Sequence, residues 1–293
     1  MRITRYAASL AAVGLMLAAC GGSEAGNQAE EGAENTAEVQ EDVEFDAGTT
    51  MATLNEAGTM TVGTKFDQPG FGLLNPNTQV PEGFDVEIAK IIAAKLGIPE
   101  DGIEWVETVS ANREPFIQNG QVDIVVATYT INDKRKEVVS FAGPYYEAGQ
   151  SILVLADNDD IESEEDLVGQ PVCSVTGSTP AAKLAEIGAV PVLTDTYTNC
   201  LEPLRSGQVV AVSTDNVILA GLAAQNEGEF KVVGEPFTEE PYGIGLALED
   251  TEFRMWINDT LEAAYEDGRY EEAWNETAGT VLPFVEPPAV DRY

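Results

Sequence analysis

The chain has 293 residues, of which 44% are apolar, so it is long and apolar enough to bury the cores of one or two domains. Its 51 acidic residues against 15 Lys and Arg give a formal net charge of -36, which argues against partners that need a basic surface, such as nucleic acid or anionic lipid. The sequence has no histidine, which removes the commonest general acid–base group and a common metal ligand.

The N-terminus has the features of an export signal. A basic stretch, "MRITR", precedes the apolar stretch "YAASLAAVGLMLAA", which is too short to span a bilayer well. Cys20 follows in "LAAC", which resembles the bacterial lipobox, where the signal is cleaved before a cysteine that receives lipid. We therefore expect a lipoprotein signal peptide over 1–19 and a mature protein anchored to the extracellular face of the cell membrane through lipid on Cys20. The alternative is an ordinary secretory signal with a chance cysteine.

An acidic segment follows the signal, and we predict that residues 20–57 form a flexible tether. The segment is rich in Gly, Ala, Asn and Glu, and Phe45 is its only aromatic residue. Such a composition buries too little apolar surface to fold by itself. The folded part of the protein is therefore expected to begin at about residue 58.

The cysteines that remain after Cys20 are Cys173 and Cys200. Outside the cytoplasm an even pair is most simply a disulfide, and the alternative is two buried free thiols. Two cysteines without a histidine do not make a zinc site, and we expect neither a metal nor a cofactor.

Strands and helices alternate from residue 58 onward. "TMTVGT", "IEWVE" and "VDIVVATY" are predicted strands, and "GFDVEIAKIIAAKLG" has Phe84, Ile88, Ile91 and Ile92 at helical spacing with Gly97 at its end. Later strands are predicted in "GQPVCSV", "VPVL" and "VVAVST", with helices between them. This alternation predicts an α/β fold with parallel strands, and the number of units favours two lobes over one small sheet.

Motifs of catalysis are missing from the sequence. It has no GxxxxGK[ST] phosphate loop, no complete GxGxxG after a strand and no GxSxG nucleophile elbow. Their absence favours a binding protein over an enzyme.

Polar residues instead follow strands and begin helices, where α/β folds bind ligands. Ser178 and Thr179 precede Pro180, which suits a helix N-terminus that binds an anion or is merely capped. Asp215 lies between a strand and a helix and is alternatively a plain N-cap. Arg113 and Arg135 are alternatively surface arginines that form weak ion pairs.

Several stretches, in order, resemble one known family. "GFDVEIAKIIAAKLG", "SANREPFIQNGQVDIVVATYTINDKRKEVVSFAGPYY", "GST", "STDNVILAG" and "YGIGLALE" are similar to the amino-acid-binding extracytoplasmic solute receptors of ABC importers. Within the family the chain most resembles the glutamate-binding lipoproteins of Gram-positive actinobacteria, which also have the paired cysteines. The resemblance implies a type II periplasmic-binding-protein fold whose two lobes are joined by two crossing hinge strands. It places lobe 1 at 58–147 and 242–293 and lobe 2 at 148–241.

The resemblance also implies how the headgroup of an amino acid is bound. Arg135, in the "TxTxxxxR" stretch, would hold the α-carboxylate as a bidentate fork, together with backbone N–H groups at Ser178 and Thr179. Asp215 would accept from the α-ammonium group.

Further residues would complete the site and read the ligand's side chain. The Thr128 carbonyl and Thr130 would share the headgroup, and Tyr242 would border the cleft. Arg113, in "SANR", and Lys65 would face a side-chain carboxylate. An aromatic residue of the first-strand loop, either Phe66 or Phe71, would stack on the ligand.

The function that the resemblance implies is capture of L-glutamate for import. The partners would be an ABC permease in the membrane and a cytoplasmic ATPase, and the protein would act as a monomer. The alternatives are the same role for aspartate or glutamine, a dehydratase of cyclohexadienyl acids on the same fold, and the ectodomain of a sensor.

Overall fold

The computed structural model describes residues 37–293. The predicted signal peptide 1–19, Cys20 and the tether as far as residue 36 lie outside the described residues. Among the described residues, no helix is long and apolar enough to cross a bilayer.

The described part of the chain alternates between short strands and helices. The helices are α1 Thr50–Ala57, α2 Phe84–Lys95, α3 Arg113–Gln118, α4 Asp133–Lys136, α5 Thr179–Glu186, α6 Leu201–Arg205, α7 Asn216–Gln225, α8 Thr251–Asp267 and α9 Arg269–Glu276. The strands are β1 Met60–Thr64, β2 Asp67–Gln68, β3 Gly72–Leu74, β4 Pro81–Glu82, β5 Ile103–Glu107, β6 Ile124–Val125, β7 Ser140–Ala148, β8 Gln150–Leu155, β9 Pro171–Val175, β10 Val190–Thr194, β11 Ala211–Asp215, β12 Phe230–Val233 and β13 Glu240–Leu246.

Two five-stranded sheets carry the fold. The first has the order β5-β1-β6-β13-β7 and the second has the order β10-β9-β11-β8-β12. In each sheet three strands are parallel, β5-β1-β6 and β10-β9-β11, and the strands beside them run antiparallel. The predicted two-lobed α/β arrangement is confirmed.

The chain passes between the two five-stranded sheets twice. β7 and β8 are consecutive strands in different sheets, and so are β12 and β13. The crossings occupy 148–150 and 233–240, so the chain moves from one sheet to the other close to the lobe boundaries proposed from the sequence. The boundaries themselves stay a prediction.

The first-strand loop is anchored in the core by Phe71. This ring is fully buried and contacts Phe84, Tyr146, Tyr242 and Trp274, with centroids 6.0 to 6.2 Å apart. Such edge-to-face packing stabilises the core and leaves no free face for a ligand. Phe71 is therefore not the aromatic residue that stacks on the ligand.

The end of the predicted tether differs from the prediction. Residues 50–57 form α1, which begins with the Thr49 hydroxyl accepting from the Ala52 N–H at 3.1 Å and ends at left-handed Gly58. Met51 and Leu54 are buried in the core. A cap at each end and two buried apolar side chains order this short helix despite its acidic surroundings.

Cys173 in β9 is bonded to Cys200, which directly precedes α6. The sulfur atoms are 2.05 Å apart and the Cα atoms 5.6 Å apart. The expected disulfide is confirmed, and the alternative of two free thiols is excluded.

Candidate functional site

A small cavity lies where the carboxyl ends of the parallel strands of both sheets meet. Its lining comes from both sheets: Ser110, Arg113, Thr128, Thr130, Ser178, Thr179, Pro180, Tyr197, Asp215 and Ile218. Six of these residues were assigned to the ligand from the sequence. The fold thus brings most of the predicted site together, from Arg113 to Asp215 along the chain.

Arg113 is the buried cation of the cavity. Arg113 is 2% exposed, and its Nη1 atom donates to the carbonyls of Ala127 at 3.2 Å and Thr128 at 3.1 Å. The guanidinium lies over the Tyr129 ring, 4.3 Å from the centroid. No ion pair with a carboxylate of residues 37–293 involves it. A buried cation held only by carbonyls and a π face attracts an anion.

Lys65 does not line the cavity itself but contacts Ser110, which does. It is 3% exposed, and its Nζ atom donates to Ser110 Oγ at 2.9 Å. Burial, together with the positive charge of Arg113, lowers the pKa of Lys65 from 10.5 to about 7. An anion in the cavity would raise that pKa again and stabilise the ammonium form.

Asp215 is the buried carboxylate of the cavity. Its Oδ2 atom accepts from the Tyr242 hydroxyl at 2.6 Å, whereas Oδ1 has no hydrogen-bond partner among the described residues. Burial and the nearby charge of Glu240 raise its pKa to about 7. The side chain does not cap α7, so the plain N-cap interpretation is excluded. A free oxygen on a buried carboxylate is suited to an ammonium group.

The N-terminus of α5 forms another part of the cavity wall. Ser178 is the N-cap: its Oγ accepts from the Ala181 N–H at 3.1 Å and donates to the Val175 carbonyl at 2.7 Å. Thr179 is the first helical residue, and its hydroxyl lies 3.3 Å from that of Thr130. The corner is therefore both a capped helix start and a wall of the cavity.

Arg135 is directed differently from the other predicted residues. It lines an adjoining groove, where its guanidinium donates to the Thr130 carbonyl at 2.6 Å, the Gly177 carbonyl at 3.3 Å and the Glu114 carboxylate at 3.2 Å. Burial and the charge of Arg113 lower its pKa from 12.5 to about 10. In this structure Arg135 thus joins the two sheets beside the cavity.

The sequence did not single out three of the wall residues, and two of these three have identifiable signals. Ser110 begins the same "SANR" stretch as Arg113, and Tyr197 precedes Cys200 by three positions in "TYTNC". Tyr197 is 3% exposed and supplies the aromatic wall, a role that the prediction gave to Phe66 or Phe71. Ile218 lies on the first turn of α7, and its apolar character gave no hint of a ligand contact.

The cavity combines a buried cation, a buried anion and hydroxyl groups in one small space. No cluster of His, Cys, Asp or Glu suited to a metal occurs among residues 37–293. The arrangement suits a small ligand that carries both charges.

The family is decided by comparison with known sequences. A model of the bacterial extracellular solute-binding proteins, family 3, matches residues 60–277. The chain belongs to this family. The matched range includes every cavity residue named above.

Individual relatives extend the match over almost the whole chain. Glutamate-binding protein GluB of Corynebacterium efficiens is 43% identical over 291 residues, which cover 94% of this chain and 91% of that protein. The ABC transporter glutamine-binding protein GlnH of Bacillus subtilis is 37% identical over 265 residues, 89% of this chain and 92% of that protein.

A solved structure supports the same fold. An ancestral arginine-binding protein bound to glutamine superposes with a TM-score of 0.71 at 37% identity, covering 75% of this chain and 97% of that one. With the two sheets and two crossings, this identifies the type II periplasmic-binding-protein fold of the family, as the sequence predicted.

Proposed function

We propose that this solute-binding protein captures L-glutamate outside the cell and delivers it to an ABC import system. The observation that carries the proposal is that Arg113 and Asp215 face one cavity, each buried and each without an ionic partner among the described residues. Leaving a buried charge unpaired costs several kcal/mol, so a ligand that pairs both charges gains that stabilisation.

The charges favour an acidic amino acid. The ammonium group of the ligand would donate to Asp215 Oδ1. The side-chain carboxylate of the ligand would bind Arg113, with Lys65 next to it. Glutamine would leave Arg113 and Lys65 without a negative charge. Selectivity against glutamine should therefore exceed that between glutamate and aspartate, which differ by one methylene group.

The α-carboxylate remains assigned to Arg135 and the N–H groups at Ser178 and Thr179. This assignment requires the Arg135 guanidinium to exchange Glu114 or the Gly177 carbonyl for the ligand. Exchange of the Gly177 carbonyl is chemically favourable, because a carboxylate is a better partner for a guanidinium than a carbonyl is. Thr128 and Thr130 would complete the headgroup contacts.

The relatives support an amino acid as the solute. GluB is named for glutamate and GlnH for glutamine, and both names support an amino acid as the solute. The buried Arg113 favours glutamate. The resemblance of "LAAC" to a lipobox supports the proposed lipid attachment at Cys20 after cleavage of residues 1–19.

The delivery steps follow from the family. The protein would act as a monomer at the extracellular face of the membrane, present its closed form to a permease and depend on a cytoplasmic ATPase for energy. We propose no catalytic role, because Asp215 and the α5 corner form a headgroup clamp, which an enzyme for cyclohexadienyl acids would not need.

Substitution of Arg113 by Met tests the proposal. Calorimetry on the full chain should show glutamate affinity reduced about 100-fold or more and glutamine affinity reduced less than about 10-fold. Arg254 is a matched control, since it is also buried but contacts Ser140 and Tyr293. Arg254→Met should leave the glutamate-to-glutamine ratio unchanged. Equal losses of both ligands in Arg113→Met would remove Arg113 as the reader of the ligand's side chain.

A further inference from the structure

Thr128 has a backbone conformation that is unusual for its residue type. Its φ is +43°, in the left-handed region that β-branched residues rarely adopt. Asp42 and Gln79 are the other non-glycine residues of 37–293 with positive φ, and both are exposed, whereas Thr128 is 4% exposed. A strained residue in the wall of a binding cavity persists only where its surroundings hold it in place.

The side chain that holds the backbone of Thr128 is Asp85, in the first turn of α2, while the Thr128 hydroxyl donates to Gln68 Oε1 at 3.0 Å. Asp85 is fully buried, its Oδ2 accepts from the Thr128 N–H at 2.7 Å, and its Oδ1 accepts from the Tyr145 hydroxyl at 2.6 Å. Burial raises the pKa of Asp85 to about 7, opposed by these two bonds and by the charges of Lys65 and Arg113. No residue of 37–293 forms an ion pair with it.

The conformation of Thr128 has a direct effect on Arg113. In an extended strand successive carbonyls point to opposite sides. Here the carbonyls of Ala127 and Thr128 both accept from the same guanidinium nitrogen of Arg113, at 3.2 and 3.1 Å. The left-handed residue turns the second carbonyl towards the first. The hydrogen bonds thus run from Asp85 through Thr128 to Arg113.

We propose that Asp85 is a positioning residue for ligand selection: it holds Thr128 in the conformation that fixes Arg113 against the side-chain carboxylate of the ligand. This inference rests on the proposed function. Asp85 does not line the cavity, and its hydrogen bonds reach the cavity wall through Thr128. An ordinary structural role, as an acidic residue near the start of α2, would change stability without changing which ligand is preferred.

The test compares glutamate and glutamine affinities in variants of the full chain. Asp85→Ala should reduce the glutamate-to-glutamine affinity ratio about 30-fold, because it releases Thr128 and with it Arg113. Tyr145→Phe is the matched control, since it removes the other partner of Asp85 and should leave the ratio within about 3-fold. In a second substitution, Thr128→Gly, the glycine adopts the left-handed conformation without the hydrogen bond to Asp85. The double variant of Asp85→Ala and Thr128→Gly should therefore recover much of the ratio.

The isosteric Asp85→Asn keeps the proposal testable if Asp85→Ala does not fold. Its amide oxygen is a weaker acceptor than a carboxylate, so the ratio should fall about 3-fold or more, and should not fall in the Thr128→Gly background. An unchanged ratio in Asp85→Asn or Asp85→Ala would overturn the positioning role. If the wild-type protein still prefers glutamate in that case, the proposed function stands and only this inference fails.

Discussion

The Tyr242 hydroxyl donates to Asp215 Oδ2 at 2.6 Å, and both groups are buried at the edge of the cavity. The bond fixes the carboxylate and leaves Oδ1 free within the described part of the protein. It also lowers the pKa of Asp215 against the opposing effects of burial and Glu240. Tyr242 thus contributes to the ammonium site through Asp215, without lining the cavity itself.

Tyr242→Phe should weaken glutamate binding about 10-fold near neutral pH, because loss of the bond raises the pKa of Asp215 further and leaves more of it protonated. The loss should shrink at about pH 9, where the carboxylate is charged in both proteins. Calorimetric titrations across this pH range measure it. Tyr146→Phe, another buried tyrosine of the core, is the control and should show no such pH dependence. A loss that is equal at all pH values would contradict the role through Asp215.

Glutamate binding should exchange protons with solvent, with opposite signs on the two sides of neutral pH. In the free protein the pKa of Asp215 is raised to about 7 and that of Lys65 is lowered to about 7. At about pH 6 the ammonium group of the ligand would ionise Asp215 and release a proton, so affinity falls as the pH falls. At about pH 8 the ligand carboxylate would protonate Lys65 and take up a proton, so affinity falls as the pH rises.

Calorimetry in buffers of different ionisation enthalpy measures the number of protons exchanged. Lys65→Met should abolish proton uptake at about pH 8 and keep proton release at about pH 6. Uptake that persists in Lys65→Met would show that another group titrates on binding.

The backbone N–H of Tyr197 donates to Asp67 Oδ2 at 2.8 Å, from the turn before Cys200 to the first-strand loop. We expect this bond to stabilise the closed form. Asp67→Ala should weaken glutamate and glutamine binding by the same factor, about 10-fold, since the bond touches neither ligand. Asp67→Asn keeps an amide oxygen as acceptor, so it should lose less affinity for both ligands than Asp67→Ala does.

The Asp67 variants separate a closing contact from an electrostatic effect. If Asp67→Asn binds ligand as weakly as Asp67→Ala, the Asp67 carboxylate acts through its negative charge, which stabilises the ionised form of Lys65. Small-angle scattering of the ligand-bound variants measures closure directly. An unchanged radius of gyration together with weakened binding would contradict a role in closure.

Arg135→Ala should reduce binding of every amino acid about 100-fold or more if the guanidinium holds the α-carboxylate. Glu114→Gln is the informative companion, because Glu114 competes for the same guanidinium at 3.2 Å. In Glu114→Gln the Arg135 guanidinium no longer pairs with this carboxylate, so ligand affinity should equal or exceed that of the wild-type protein. Glutamate affinity in Arg135→Ala within about 10-fold of wild type would restrict Arg135 to its observed contact with the Gly177 carbonyl.

Strand–helix alternation was sufficient to predict the two lobes, whereas the ligand roles of six cavity-wall residues were implied by the resemblance to the solute-receptor family. The position of Asp215 after a strand placed it at the ligand edge of an α/β sheet, and the resemblance gave Asp215 and Arg113 their ligand roles. The disulfide followed from an even cysteine count, and the structure identifies its geometry.

Other features depend on contacts far apart in the chain. Asp85 occupies an ordinary polar position in "GFDVEIAK", and only tertiary packing buries it against Thr128 and Tyr145. Tyr197 lies in a turn that reaches the cavity because the disulfide holds it beside β9. The orientation of Arg135 depends on Glu114, whose charge carried no signal in so acidic a sequence.

Calorimetric titration of the full chain with L-glutamate, L-aspartate and L-glutamine tests most directly whether the cavity selects an acidic amino acid. We expect one-to-one binding of glutamate, with a preference over glutamine that is larger than the preference over aspartate. Tighter binding of glutamine, or no binding of any of the three, would contradict the pairing of Arg113 with a ligand carboxylate.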